Sequence, residues 1–205
     1  MILPLLQYVY LHHGKRIALI GSDTLYAREI NRIVAEFLAG SDGELVSEAY
    51  VPFGATTAQI EGLLSQHVGT EVDVVLSTVV GEDSVSLYSA YAKSELMKTE
   101  IPIASLTTTE SELAKVTPED RAGHLSVSSY FSTLDTTLSR SFVDAFQKRF
   151  GKKEMPGVYS EVGYSLIHVY ANSVRLCGTT DTDDILAALS RAVFKSPAGD
   201  LFIDL

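Results

Sequence analysis

The chain has 205 residues, 46% of them hydrophobic, and a formal net charge of −10. That length and apolar content suit one folded α/β domain, or one domain and part of another, and exclude a disordered chain. The acidic balance provides no basic stripe to neutralise phosphates, which excludes direct nucleic-acid binding, and no apolar run approaches the roughly 18 residues that span a bilayer, which excludes membrane insertion.

The opening stretch, Met1 to Gly14, is apolar but lacks the basic n-region and small-residue cleavage site of a signal peptide. It reads as a short helix ended by His12 and His13, where positive charge is favoured. Around Arg16–Asn31 the chain spells strand, turn and helix: Ile17 to Ile20 is aliphatic, Gly21 permits a tight turn, and Ile30, Ile33, Val34, Phe37 and Leu38 share one helical face. Ser22 or Asp23 is expected to accept from the first free N–H groups of that helix, which starts near Leu25. Gly43–Pro52 alternates as a strand, and Phe53–Thr57 caps a helix carrying Ile60, Leu63, Leu64 and Val68.

Val72–Val80 is an almost continuous β-branched run, the pattern of a parallel strand covered on both faces, and it stops at Gly81. A helix from Ser84 to Leu96 follows, packing through Val85, Tyr88 and Leu96. Next come a short strand, Ile101–Leu106, in which Pro102 requires either an edge position or a place among the first residues, and a helix over Ser111–Val116 capped from Thr107–Glu110. Gly123–Asp135 reads as a strand with a polar connector. Beyond it the texture is helical: Leu138–Phe150, then Tyr159–Leu176 with Val162, Leu166, Val169, Tyr170 and Val174 as its packing stripe. A capped helix then carries Ile185, Leu186, Leu189 and Val193, and Gly199–Leu205 is a closing strand with an unpaired edge. The expected division is a βα-repeat half, 1–135, and a helical half, 136–205.

Three strands thus end in small polar clusters, at Gly21–Asp23, Ser77–Gly81 and Thr107–Glu110, and in a parallel sheet such ends share one edge. That rim is a candidate ligand site comprising Ser22, Asp23, Thr24, Tyr26, Val79, Val80, Gly81, Thr107, Thr108, Thr109, Glu110 and Tyr130. Tyr26 and Tyr130 are placed to close over a small neutral ligand, each giving ring area and one hydroxyl. Glu110 with Asp23 could form an acid/base pair, the basis of an alternative reading as an α/β hydrolytic enzyme, although two capping carboxylates would look the same. There is no Gly-x-Ser-x-Gly elbow, phosphate loop, zinc-type His-Glu-x-x-His or dinucleotide fingerprint, so neither a cofactor nor a metal is expected. Cys177, the sole cysteine, cannot form an internal disulfide and reads as a small buried hydrophobe.

Four ordered blocks, Ile20–Asn31, Val75–Gly81, Pro102–Lys115 and Tyr130–Thr136, together resemble the type I periplasmic-binding-protein fold. The likeness is to the amide-sensing regulator of the aliphatic amidase operon and to the urea and short-chain-amide binding proteins of ABC importers. The resemblance implies a non-enzymatic lobe that binds small amide-like solutes and works by closure against a second lobe. The first lobe of the family has no counterpart here, so the helices after Tyr130–Thr136 would belong to an incomplete partner lobe, and binding by this polypeptide alone would be weak or absent. Carried over by position, the amide pocket would use Tyr26, Val79–Gly81 and Thr107 or Thr108. Thr24 stands where the regulator has a second aromatic, which implies a roomier, wetter site. The partner would be an antiterminator-type protein in a cytoplasmic regulator, or an ABC permease for a periplasmic solute-binding component. A third reading is an interaction domain whose exposed helical face pairs with itself as a homodimer.

Overall fold

The aliphatic run Ile17–Ile20 forms the centre of strand β1 (Arg16–Ser22), and all four residues are fully buried, so side chains must be covered on both faces of the strand. The computed structural model describes residues 1–66 and 71–203 and contains two compact units, Met1–Ser128 and Ser129–Leu205. The expected boundary at 135/136 therefore falls inside the second unit.

In the first unit, β1 is flanked by β2 (Glu44–Val51) on one side and by β3 (Val74–Thr78), β4 (Ile103–Ser105) and β5 (Leu125–Ser126) on the other. All neighbours are parallel, in the order β2-β1-β3-β4-β5. Residues of alternating parity point to opposite faces. Ile17 and Leu19 of β1, with Val74 and Leu76 of β3, pack under α1 (Ile2–His12) and α2 (Leu25–Ala39) through Leu6, Val9, Val34 and Leu38. Ala18 and Ile20, with Val75, pack under α3 (Thr57–Ser65) and α4 (Glu82–Lys93) through Ile60, Leu64, Leu87 and Tyr91. Each buried Val, Leu and Ile side chain among these contributes about 1.5–3 kcal/mol by leaving water. The chain moves outward from β1 to β2 and then crosses back to place β3 on the other side of β1. The strand order therefore reverses between β1 and β3, where open α/β sheets leave a crevice at their carboxyl ends.

The opposite edge is held by Asp73. Its carboxylate accepts from the backbone N–H of Lys15 (2.8 Å) and Arg16 (2.9 Å) and from the Arg16 guanidinium (3.1 Å). These hydrogen bonds outweigh partial burial and hold its carboxyl below the usual range. Gly14 sits so close that a Cβ there would lie 2.3 Å from Asp73 Oδ2.

Several boundaries differ from expectation for identifiable reasons. The long β-branched run is strand only over Val74–Thr78, because Val79 and Val80 leave the ladder to form the turn into α4. Pro102 precedes β4 instead of joining it, and the expected helix to Leu96 ends at Lys93 before a 3₁₀ turn, Glu95–Thr99. Residues from Thr107 to Arg121 carry two single-turn helices, α5 (Glu110–Leu113) and α6 (Pro118–Arg121); Pro118 starts the second. The long strand expected from Gly123 shrinks to the two residues of β5. Val68 of the predicted α3 stripe, and Asp204 and Leu205 of the closing strand, lie outside the described residues.

The second unit contains α7 (Thr137–Phe150), α8 (Val158–Cys177), α9 (Thr182–Leu189) and a hairpin of β6 (Val193–Ser196) with β7 (Gly199–Phe202). Val193, expected on the last helix, instead pairs with Phe202 across this antiparallel hairpin, so the closing strand has a partner. Its core gathers Tyr130, Phe142, Val169, Ile185 and Ala188, with the Phe142 ring edge-on to Tyr130 at 5.9 Å. Cys177 ends α8 half-buried instead of inside the core. The predicted stripe of α8 is largely inverted. Val169 is buried, but Glu161, Ser165 and Ser173 fill the rest of its inward face, while Val162, Leu166 and Tyr170 are exposed. Small residues permit close approach inside the unit, and Glu161 is accommodated because Ser165 Oγ donates to its carboxylate at 2.6 Å.

Candidate functional site

The rim is built by the segments leaving β1, β3 and β4, and its hydroxyls act first on one another. Ser22 does not cap α2; its Oγ accepts from the Val80 N–H at 3.2 Å and fastens the end of β3 to the end of β1. Capping falls instead to Thr24, whose extended backbone lets its Oγ1 accept from the Ala27 N–H at 3.1 Å. Asp23 turns outward to an ion pair, Oδ1 accepting from Nε (3.0 Å) and Nη2 (2.8 Å) of Arg28, whose guanidinium also lies 4.2 Å over the Tyr50 ring. The Val79 carbonyl accepts from Thr107 Oγ1 (2.5 Å) and Ser84 Oγ (2.8 Å), so the Val79–Gly81 turn is clamped between neighbouring strand ends.

Thr108 and Thr109 are buried scaffold. Thr108 Oγ1 shares a 2.8 Å hydrogen bond with Ser105 Oγ, and the Thr108 carbonyl accepts from Ser126 Oγ at 2.6 Å, tying β4 to β5. Tyr88 also hydrogen-bonds Thr108, yet burial dominates and pushes its phenol up, keeping the hydroxyl protonated. Thr109 caps α5 in a reciprocal box with Glu112. Glu110 occupies the first position of α5 and is half-exposed.

What the rim offers to solvent is therefore narrower than the full set of twelve. Asp23, Tyr26 and Gly81 are exposed, and Thr24, Val80, Thr107 and Glu110 are half-exposed. Tyr26 stands at the second position of α2 with about half its surface in water (49%). Gly81 has φ +63° and a Cβ there would meet nothing, so it opens the start of α4 without a side-chain cap. Tyr130 belongs to the second unit, where it is buried and its hydroxyl hydrogen-bonds Ser139 Oγ at 3.0 Å.

Three contributors are absent from the twelve candidate residues, although one, Thr78, lies within the Ser77–Gly81 cluster. Thr78 is fully buried, and its Oγ1 lies 2.5 Å from where a Gly21 Cβ would sit, so the two ends close to within a hydroxyl's width only because residue 21 is glycine. Asp83, buried in the first turn of α4, accepts from the Gly54 N–H at 3.0 Å and draws the loop after β2 to the rim. Phe53 on that loop is exposed. The signal for Asp83 was its position as an acidic residue in a first turn; for Phe53 it was an aromatic just past a strand end.

Charge at the rim is predominantly negative. Asp23, Glu82, Asp83 and Glu110 face two cations, Arg28 paired with Asp23 and Lys115 paired with Glu82. Among the described residues no group of three or more His, Cys, Asp or Glu is arranged to hold a metal ion, and no helix is long and apolar enough to cross a membrane.

A parallel sheet with helices on both faces, a crossover crevice and a hydroxyl-braced polar rim defines an α/β lobe of the periplasmic-binding-protein type. The chain belongs to the periplasmic binding protein domain family, whose model matches residues 1–205. Among solved structures, a solute-binding protein of an ABC transporter from Rhodopseudomonas palustris, in complex with p-hydroxybenzoic acid, superposes with a TM-score of 0.86 at 18% identity, covering 99% of this chain and 55% of that one. The branched-chain amino acid transporter substrate-binding protein LivJ from Streptococcus pneumoniae, in complex with isoleucine, superposes with a TM-score of 0.77 at 20% identity, covering 98% and 56%. At such identities the likeness concerns the fold. A limonene hydroxylase from Geobacillus stearothermophilus is 35% identical over 83 residues, 40% of this chain and 15% of that protein. The chain thus spans about half the length of these solved relatives and a small part of the hydroxylase.

Proposed function

We propose that this chain supplies one ligand-binding lobe of the solute-binding component of an ABC importer, working with a membrane permease, and that its rim receives the amino or amide end of a small solute. The observation that carries the reading is the hydroxyl-braced rim at the reversal of strand order between β1 and β3, with exposed Tyr26 in the first turn of α2 and the open Gly81 turn leading into α4. The surplus of carboxylates disfavours an anionic group there and favours an ammonium or a neutral amide. Amino acids, short amides and urea meet that requirement, and an aromatic acid could do so only with its carboxylate directed elsewhere. Closure against a counterpart lobe would convert occupancy into a signal, because contacts made only in the closed state shift the open–closed equilibrium.

The solute-binding relatives favour the importer over a regulator of an amidase operon, and with it a periplasmic setting over a cytoplasmic one. Their names are those of binding proteins, which favours ligand capture over hydrolysis by Glu110 or Asp23. Amide chemical shifts in nitrogen–proton NMR spectra test the reading even for weak binding. Isoleucine, acetamide or urea at millimolar concentration should move Tyr26, Gly81 and Thr107 in a saturable way, and Tyr26→Ala should remove the response. Silence across that panel, or shifts confined to other surfaces, would reject it.

A further inference from the structure

Asp23 directly follows Ser22, whose hydroxyl fastens the end of β1 to the Val80 amide, so it begins its connection where two strand ends meet. Its backbone is held on both sides: the Asp23 N–H donates to the Val51 carbonyl and the Thr24 N–H to the Ser22 carbonyl, each at 2.7 Å. Its side chain is held by Arg28, and both of those hydrogen bonds fall on Oδ1. Oδ2 accepts no hydrogen bond among the described residues, and the carboxylate is exposed. Arg28 is gripped in turn. Its guanidinium lies 4.2 Å over the Tyr50 ring, and the Tyr50 hydroxyl donates to Glu48 and accepts from Nδ2 of the buried Asn31 at 3.2 Å. Two carboxylates, Asp23 and Glu48, therefore flank one guanidinium, which leaves one negative charge over.

We propose that Asp23 determines specificity at the rim, its Oδ2 accepting a hydrogen bond from the ammonium of an α-amino acid, and that Arg28 is the positioning residue that holds it for that contact. This assignment rests on the ligand reading proposed above and narrows it: of amino acids, short amides and urea, it selects the class that carries a positive charge. A neutral amide N–H gains little at an exposed carboxylate, because water serves as well. A hydrogen bond between two ionised groups is about twice as strong as a neutral one, and the uncompensated charge beside Arg28 adds to it. On the β3 side, Glu82 already pairs with Lys115, and buried Asp83 accepts from the Gly54 N–H. The carboxylate of the amino acid would point away from this acidic rim. Arg28 acts through Asp23: a guanidinium that bonds Oδ1 through two nitrogens and rests on an aromatic face keeps the carboxylate turned so that Oδ2 stays open.

Nitrogen–proton NMR titrations of the 205-residue chain with isoleucine, with acetamide and with the hydroxy acid that carries a hydroxyl in place of the isoleucine ammonium separate the outcomes. Isoleucine should saturate the Tyr26, Gly81 and Thr107 shifts at a concentration about tenfold or more below that of the hydroxy acid. Asp23→Asn keeps the size of the side chain and one acceptor oxygen; it should raise the Kd of isoleucine about tenfold or more and that of acetamide by less than about twofold. Arg28→Lys keeps the charge but loses the two-nitrogen grip, and should raise the isoleucine value several-fold while leaving the acetamide value alone. Both side chains are exposed, so circular dichroism of the variants should match that of the wild type. An isoleucine affinity indifferent to either substitution, one matched by the hydroxy acid, or binding of acetamide without isoleucine would overturn the assignment and leave the ligand reading standing. Silence toward all three probes would overturn both.

Discussion

Gly21→Ala should destabilise the first unit by overpacking, and the structure says against which atom. Gly21 has no need of an unusual backbone, so the penalty is steric: a Cβ there would lie 2.5 Å from Thr78 Oγ1, 3.0 Å from Ala27 Cβ and 3.5 Å from Tyr50 Cδ1. Thr78 cannot swing aside, because it is β-branched, fully buried and held in the ladder opposite Gly21. Overpacking of a dense core at this scale costs about 1–3 kcal/mol. For a chain of this size that corresponds to a loss of about 2–12 °C in Tm. Thr78→Ala removes the clashing hydroxyl, which has no hydrogen-bond partner among the described residues, and should itself cost about 1 kcal/mol for the lost methyl group. The double variant should then be more stable than the sum of the single losses predicts, by about 1 kcal/mol or more of coupling. Thermal and urea melts of the four proteins, followed by circular dichroism, complete the cycle. A neutral Gly21→Ala, or strictly additive losses, would refute the close approach of β1 and β3 on which the crevice depends.

Asp73→Ala would leave the N–H groups of Lys15 and Arg16 without their acceptor and should cost about 2–3 kcal/mol in urea melts, far more than removal of the exposed Asp42 carboxylate that pairs with Lys15. His124 makes the fold acid-sensitive. Its Nδ1 accepts from the Ile103 N–H at 3.0 Å, the rings of Tyr88 and Tyr91 stand edge-on to it, and burial lowers its pKa to about 4. An interaction with the Asp120 backbone only partly opposes that drop. The unfolded chain binds this proton from about pH 6.5 downward while the folded chain does not. This contribution is therefore complete above pH 6.5 and declines by about 3 kcal/mol as pH falls to 4. His124→Asn, keeping an acceptor for Ile103, should flatten that part of the stability–pH curve; an unchanged slope would disprove the role. Tyr26→Ala should alter the unliganded Tm by less than about 2 °C, since half of the ring is already in water, and still abolish the ligand response.

The local grammar of the first unit was readable without coordinates. Aliphatic runs that stop at a small polar cluster, and apolar residues at helical spacing, identify βα units because burial on two faces and on one face leave different periods. β1, α2 and α3 therefore lie where the pattern places them, except that β1 continues through Gly21 to Ser22 instead of turning at the glycine, and Thr56 with Gln59 forms the capping box of α3. Capping chemistry was legible as a type but not as an address. Ser22, Asp23 and Thr24 are equally able to cap α2, and only the neighbouring Val80 amide and the Arg28 guanidinium, brought in by the fold, divide their roles.

Amino-acid order alone determined that this chain is an α/β protein with hydroxyl-rich strand ends, since side-chain period and turn chemistry are properties of neighbours in sequence. Tertiary structure decided which strand lies beside which, and so put the crevice between β1 and β3. It decided that Val193 joins a hairpin instead of a helix, because an antiparallel partner at Phe202 outweighs local propensity. It also decided that α8 turns Glu161, Ser165 and Ser173 inward and leaves Leu166 and Ile167 in water. An amphipathic pattern says that a face must be covered, but the covering surface is a property of the assembled fold.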